Sequence, residues 1–232
     1  MKNIKTNSKL VKKNDIFICT HDNLNKHDFI DEVVNNEVGA IIVDEEIVKF
    51  YDVPIIKVYN TNDTLFQSAN DYYKRPFDKL KLIGITGTDG KTTTASITRD
   101  LLSNFYKCAY LGTNGFIVDD VVINTNNTTP GIVEVLKFAS LAVDMGCKYM
   151  VMEISSEGLL NNRCNNLSFD VVCLTNITLD HLNVHKTFDN YLNSKGKLFS
   201  LIKNDGVNIL NIDDKYCTFL KKLMIKRMFI MV

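Results

Sequence analysis

The chain has 232 residues, of which 45% are hydrophobic and 23% charged, an ordinary globular mix that excludes disorder, collagen and coiled coil as global descriptions and leaves room for one large domain or two small ones. Lys plus Arg number 27 and Asp plus Glu number 27, so the formal net charge is zero. The totals lack the basic excess of a chain that lives on nucleic acid.

The six cysteines (Cys19, Cys108, Cys147, Cys164, Cys173, Cys217) are scattered, with no C-x-x-C pair. Reduced thiols fit this better than a zinc site or a disulfide framework. The N-terminus MKNIKTNSKLVKKND has basic residues but no apolar stretch behind them, unlike a secretory signal. No run approaches 18 apolar residues, so no spanning helix is expected. The expected location is the cytoplasm, with neither membrane nor nucleic acid as a partner.

In chain order, short apolar runs at Asp15 to Cys19, Val38 to Val43 and Val53 to Val58 have strand length and β-branched content. Helical stretches lie between and after them, near Phe29 to Asn36 and Asp63 to Tyr73. Strands alternating with helices predict an α/β unit. Lys74-Arg75-Pro76 marks a boundary, because proline disfavours helix at the residue before it. Beyond it, Leu82 to Thr86 reads as a buried strand, followed by a Gly/Thr turn and a helix from about Thr92 to Phe105. Ala109 to Leu111 is a short strand. Gly131 to Met145 is a helix with Ile132, Val135, Leu136, Ala139 and Val143 on one face. Tyr149 to Ile154 and Val171 to Thr175 are strands, Phe188 to Ile202 is a helix, and Val207 to Ile212 is a last strand. The predicted fold class is α/β: a small N-terminal α/β domain (1–76), a central domain (77–214) with a mostly parallel sheet whose ligand loops lie at the strands' C-terminal ends, and a divergent tail (215–232). That tail, ending KKLMIKRMFIMV, reads either as a basic amphipathic helix or as the product of a changed reading frame.

The chemistry concentrates in Thr86-Gly87-Thr88-Asp89-Gly90-Lys91-Thr92-Thr93-Thr94, between a strand and a helix. Glycines let a backbone turn tightly and aim N–H groups inward, and the new helix adds its positive end at the same point. Lys91 supplies a cation for β/γ-phosphates, and the Thr92 hydroxyl suits Mg²⁺. The spacing is not a strict Walker A, because Ile85 stands where its first glycine belongs. The bland alternative is a βα turn with a solvated lysine. Glu153 ends an apolar strand and would lie beside this loop, where a carboxylate can ligate Mg²⁺. Asp180 and His181 follow the next strand on the same face. A lone histidine is more often packed than ligating, and His185 reads as structural. His21 and His27 cannot be assigned by chemistry alone.

Taken in order, Gly87-Thr88-Asp89-Gly90-Lys91-Thr92, Asn127-Thr128-Thr129-Pro130, Glu153-Ile154-Ser155-Ser156, Thr175-Asn176 with Asp180-His181, and Tyr191 with Ser194-Lys195 resemble the Mur ligase family, most closely its MurE branch. The first half is similar more loosely, at Asn7-Ser8-Lys9, Asp15-Ile16-Phe17, His27 with Phe29-Ile30, and Gly39-Ala40. The resemblance implies a UDP-sugar-binding N-terminal domain, ATP and Mg²⁺ as cofactors, and an acid–amino-acid ligase of peptidoglycan precursor synthesis. ATP would phosphorylate the carboxylate of UDP-N-acetylmuramoyl-dipeptide, and an amino acid's amine would displace phosphate from the acyl phosphate.

The resemblance also implies roles. Lys91, Lys195 and His181 are catalytic. Gly87, Thr88, Asp89, Gly90, Lys91, Thr92, Thr93 and Asn176 bind the nucleotide. Thr92, Glu153, His181 and Lys195, the last as a carbamate, hold the metal. Ser8, Thr128, Thr129, Ser155, Asn161 and Arg163 contact the muramoyl substrate. Without the resemblance, Lys195 would read as a solvated helix lysine. Glu157 and Gly131 depart from residues frequent in the family. The family carries a third domain of about 150 residues, a normal domain size, which holds the incoming amino acid. The expectation is that this chain stops before it, so a separate chain is an expected partner and diaminopimelate cannot be told from lysine. Two further readings stay open: a folylpolyglutamate-synthetase-like ligase, and an inactive nucleotide-binding remnant.

Overall fold

The computed structural model describes residues 4–21, 24–180, 182–216, 219–220 and 228–231. The chain divides into two compact units, Met1–Lys74 and Arg75–Val232.

The first unit alternates strand and helix. Strands β1 (Ile4–Lys5), β2 (Ile16–Ile18), β3 (Ala40–Val43) and β4 (Ile55–Lys57) form a parallel sheet in that order. Helix α1 (Ile30–Asn35) connects β2 to β3, and α2 (Thr61–Tyr72) follows β4. Asn60 starts α2 by accepting the Asp63 N–H on its side chain, which satisfies one of the amides a helix start leaves unpaired. Phe17, Cys19, Ile30, Val33, Ile41 and Val43 make the core.

The second unit carries an eight-stranded sheet. Its elements are β5 (Lys81–Thr86), α3 (Lys91–Ser103), β6 (Cys108–Gly112), β7 (Gly115–Val118), β8 (Val121–Ile123), α4 (Ile132–Asp144), β9 (Tyr149–Glu153), α5 (Ser156–Leu160), β10 (Phe169–Leu174), α6 (Leu182–His185), α7 (Phe188–Ser200), β11 (Ile202–Asn211) and β12 (Met228–Met231). The strand order is β12-β11-β10-β5-β9-β6-β7-β8. The first six strands run parallel, and β7 and β8 add an antiparallel edge. Central strands β5 and β9 are continuous apolar runs, as a sheet covered on both faces requires: Leu82, Ile83, Ile85, Met150, Val151 and Met152 are all buried. β5 lies between β9 and β10, so the loop after it opens at the middle of the sheet, where open α/β sheets bind ligands.

Two elements differ from expectation. The β7–β8 hairpin falls in a stretch without predicted structure. Its strands are short, and Val121, Val122 and Ile123 are exposed, so no alternation betrays them. In the tail, residues 221–227 and 232 of the stretch read as an amphipathic helix lie outside the described residues, whereas Met228–Met231 pairs parallel with Asn208–Asn211 as an edge strand. Its run of large apolar residues suits a strand laid beside β11.

Among the described residues no helix is long and apolar enough to cross a membrane. The five described cysteines are buried and free. Burial pushes the thiols of Cys19, Cys108 and Cys164 up to about 12, which makes them inert packing residues.

Candidate active site

The loop Gly87–Gly90 leaves β5 and enters α3 at Lys91. Gly90 sits at φ +76° as the residue before the helix, a left-handed conformation open to glycine at little cost. The first helical bond runs from Thr94 N–H to the Gly90 carbonyl, so the amides of Lys91, Thr92 and Thr93 have no partner within the helix. They supply a positive, donor-rich end.

The loop is clamped from β10. Asn176 accepts the Asp89 N–H at 2.9 Å on its side-chain oxygen and returns its amide N–H to the Asp89 carbonyl at 3.1 Å. The Thr175 hydroxyl also donates to the Asp89 carbonyl, at 2.6 Å. Thr88 N–H bonds the Asn176 carbonyl, and the Thr88 hydroxyl meets Tyr191 Oη at 2.8 Å. Asn176, expected to contact the nucleotide, here fixes the loop's shape.

Two lysines converge on one oxygen. Lys91 Nζ donates to the carbonyls of Gly87 and Thr88 at 2.9 and 2.7 Å. Lys195 Nζ, from α7, donates to the same Gly87 carbonyl at 2.6 Å and lies 4.7 Å from the Tyr191 ring centre. Lys195 is only 1% exposed. Burial first, and then the Lys91 ammonium, pushes Lys195 down to about 7, against the weaker opposing pull of Asp180 and Asp89. Burial also lowers Lys91, with Glu153, Asp89 and Asp180 acting in the other direction. A lysine held near neutrality has the unprotonated amine that a solvated one lacks.

Glu153 ends β9 and is fully buried. Its Oε2 accepts from the Thr92 hydroxyl at 2.8 Å and the Thr113 hydroxyl at 3.2 Å. Its Oε1 accepts from Thr113 N–H at 3.1 Å and from the Tyr110 hydroxyl in a short bond. Gly112 makes this approach possible, because an added Cβ would collide with the Glu153 carboxylate. Thr92 therefore couples the phosphate loop to the acid. Carboxylate and hydroxyl oxygens side by side are the donor set that Mg²⁺ favours.

Above these groups opens a cleft of about 480 Å³. Thr88, Asp89, Gly90, Lys91, Thr92 and Thr93 line one side, Lys195 takes part, and Thr113, Asn126, Asn127, Thr128, Ser155, Ser156, Glu157 and Arg163 complete it. Of the residues expected to contact substrate, Thr128, Ser155 and Arg163 reach the cleft. Thr129 is buried, and its hydroxyl is engaged with the Glu153 carbonyl and the Ser155 N–H. It positions Arg163, whose guanidinium donates to the Thr129 carbonyl at 3.0 Å. Asn161 caps the end of α5 outside the lining, with its side-chain oxygen buried and unpartnered among the described residues. Ser8 lies buried in the first unit, in the turn after Asn7. His181 lies outside the described residues.

Sequence reasoning missed Tyr110, Thr113 and Asn126. Tyr110 looks like one more apolar strand residue, and its hydroxyl finds Glu153 at a separation of 43 residues. A turn signal, Gly112-Thr113-Asn114-Gly115, was the one local clue that β6 ends at a site.

Comparison with known proteins gives this arrangement a context. Residues 85–230 match the Mur ligase middle domain. The UDP-N-acetylmuramoyl-L-alanyl-D-glutamate–2,6-diaminopimelate ligase of Clostridium tetani is 39% identical over 221 residues, covering 93% of this chain and 45% of that protein. A solved structure of a ligase of the same name superposes with a TM-score of 0.76 at 22% identity, over 99% of this chain and 48% of that one. MurF ligase from Thermotoga maritima, solved in complex with ADP, does so with a TM-score of 0.56 at 24% identity, over 99% and 50%. These two structures share the fold. The chain spans about half the length of the curated relatives it matches. Its clamped phosphate loop, buried acid and buried lysine lie in the matched segment, and the chain belongs to the Mur ligase family.

Proposed function

We propose that this chain forms the ATP-binding and nucleotide-peptide-binding part of a ligase that joins diaminopimelate to UDP-N-acetylmuramoyl-L-alanyl-D-glutamate. The observation that carries the reading is the convergence of Lys91, Lys195 and the Thr92–Glu153 pair at one end of the sheet. The named relatives supply the substrate class. Their match extends over 93% of the chain, so it takes in both units, which favours a muramoyl-nucleotide ligase over a folylpolyglutamate-synthetase-like one.

Phosphoryl transfer asks a protein mainly for positioning and charge neutralisation. The free amides of Lys91, Thr92 and Thr93 hold the phosphates, and Lys91 balances charge on the phosphoryl group in flight. Glu153 and Thr92 would hold a magnesium ion, whose chemistry there would be withdrawal of negative charge from the phosphates. Arg163, Thr128 and Ser155 orient the substrate carboxylate so that its oxygen attacks the terminal phosphorus in line. That P–O bond forms as the bond to ADP breaks. The incoming amine then attacks the acyl carbon, the amide forms, loses a proton and inorganic phosphate leaves. Lys195, whose buried amine is partly unprotonated near pH 7, adds to carbon dioxide through its amine nitrogen, losing a proton and becoming an anionic carbamate. Its two oxygens join the ligand set on the cleft floor. His181 is assigned to the same set, and Ser8 to the nucleotide end of the substrate.

Isothermal titration of the 232-residue chain with Mg-ATP tests the reading. Saturable binding that Lys91→Ala weakens by about 10- to 100-fold is expected, the equivalent of one hydrogen bond to a charged group at about 1.5–3 kcal/mol. Absent binding, or equal affinity in the variant, would refute it.

A further inference from the structure

The first unit holds a polar cluster that the phosphate cleft does not use. His21 follows β2, Asp44 follows β3, and Thr61 begins α2 after β4, so all three stand at the carboxyl ends of parallel strands. His27 reaches the same point from the turn that starts at Asn25. One donor atom from each of His21, His27 and Asp44 lies within 4.8 Å of the other two. His21 Nε2 is 2.8 Å and His27 Nε2 3.3 Å from Asp44 Oδ1.

The surroundings fix which atoms face inward. Asp44 Oδ2 is taken by the N–H and the hydroxyl of Thr61, both at 2.9 Å, which leaves Oδ1 to the imidazoles. His27 Nδ1 lies 2.7 Å from the Asn25 side-chain oxygen. That oxygen also accepts the His27 N–H, and the Asn25 amide donates to Glu45, so the amide's orientation is set. Nδ1 therefore donates to Asn25, which leaves Nε2 as the ring nitrogen turned toward Asp44. The Asp44 N–H approaches the same Nε2 at 3.4 Å, as it would an acceptor. In the neutral ring an Nε2 lone pair and a carboxylate oxygen would face each other across 3.3 Å, a contact that a proton or a metal ion between them would relieve.

We propose that His21, His27 and Asp44 bind a divalent cation of the zinc class. Two imidazole nitrogens and one carboxylate oxygen are a donor set suited to zinc and unsuited to the all-oxygen preference of magnesium or calcium. Asn25 and Thr61 supply the outer hydrogen bonds that hold such ligands in orientation. The His27 and Asp44 side chains are 5% and 10% exposed, whereas that of His21 is 43% exposed. The site therefore has two fixed ligands and one that closes from the solvent side, leaving a fourth position for water. Bonds of about 2.0–2.1 Å would require the 2.8 Å His21–Asp44 contact to open slightly.

The test uses the whole chain, labelled with ¹⁵N, in the presence of excess Mg²⁺. One equivalent of Zn²⁺ is added while the His21 and His27 ring-nitrogen signals are followed by long-range ¹H–¹⁵N NMR. Both Nε2 signals are expected to move together and saturate at one equivalent. In competition with a chromophoric chelator, His21→Gln is expected to weaken zinc binding by more than about 100-fold, since loss of a mere supporting partner already costs 10–100-fold. Unmoved Nε2 signals in the wild-type chain would overturn the proposal and leave the cluster as a carboxylate bonded to two histidines. Equal zinc affinity in wild type and His21→Gln would overturn it as well. Because His21 is half-exposed the variant should fold, and the wild-type NMR result decides the matter without it.

Discussion

The two ends of the parallel strands in the second unit treat charge in opposite ways. At the N-terminal end, Asp170 opens β10 between Lys81 and Lys203, at 2.9 and 2.8 Å, and accepts the Leu82 N–H at 2.8 Å. Burial raises its pKa, but Lys203, the Leu82 N–H and Lys81 outweigh that and hold it below the usual carboxylate value. At the C-terminal end, Lys91 and Lys195 share a carbonyl oxygen, and Glu153 is held by hydroxyls and an N–H. One end pairs its charges and gains cohesion. The other holds its two lysines and its acid on neutral hydrogen-bond partners. Paired charge marks the structural end of such a sheet, and underpaired charge marks the chemical end.

The sharpest way to break this contrast is to exchange effects between the ends. Lys91→Ala should lose about 10- to 100-fold in Mg-ATP affinity with little change in thermal midpoint, read by titration and calorimetry. Asp170→Ala should do the reverse, because it leaves a Leu82 N–H and two lysines without their acceptor. A loss of about 1–3 kcal/mol in stability with unchanged ATP affinity is expected, and weakened ATP binding would show that the ends are not separate. Tyr110→Phe removes one donor from the buried Glu153 carboxylate and should cost a comparable 1–3 kcal/mol. Unlike Asp170→Ala, it should also alter the Mg²⁺ dependence of ATP binding.

Titration sharpens the same contrast. Lys195 is pushed down to about 7 in the folded chain, so between about 7 and the ordinary lysine value near 10.4 the unfolded chain binds a proton that the folded chain does not. Stability contributed through Lys195 therefore rises with pH across that window. Lys195→Met should flatten the rise, measured as the wild-type-minus-variant difference in urea unfolding at pH 7.5 and 9.5 under carbon-dioxide-free conditions. A pH-independent difference would contradict the burial account. Asp170 acts with the opposite sign: its contribution is present above the ordinary carboxylate value and fades as pH falls through its lowered one. The smallest effect belongs to Lys81→Ala. Its side chain is 60% exposed, and solvent screens an exposed ion pair until little of it reaches the stability.

Much of this was legible in the sequence because it is local. Gly87 to Thr94 announces a phosphate loop through residue types that chemistry demands within eight positions, and β5, β9 and β10 announce themselves as apolar runs. Partners separated along the chain were not legible. The Tyr110–Glu153 contact, the Asn176 clamp on Asp89 and the Thr129 bond to Ser155 join residues 43, 87 and 26 positions apart, so a residue's type could not say whether it faces ligand or supports a loop. The same holds for Asp44, His21 and His27, which no spacing rule links and which two strand ends and the turn from Asn25 bring together. The strand Met228–Met231 was obscured by its basic neighbours, although its own residues are as apolar as those of β9.

Lysine reactivity in the presence and absence of Mg-ATP examines the central claim most directly. The chain is treated briefly with an acylating reagent, and modification at Lys91 and Lys81 is quantified by mass spectrometry. Protection of Lys91 by Mg-ATP, with Lys81 unchanged at the opposite end of β5, is the predicted result. Equal protection of both, or none at Lys91, would contradict the placement of the nucleotide over the β5–α3 loop.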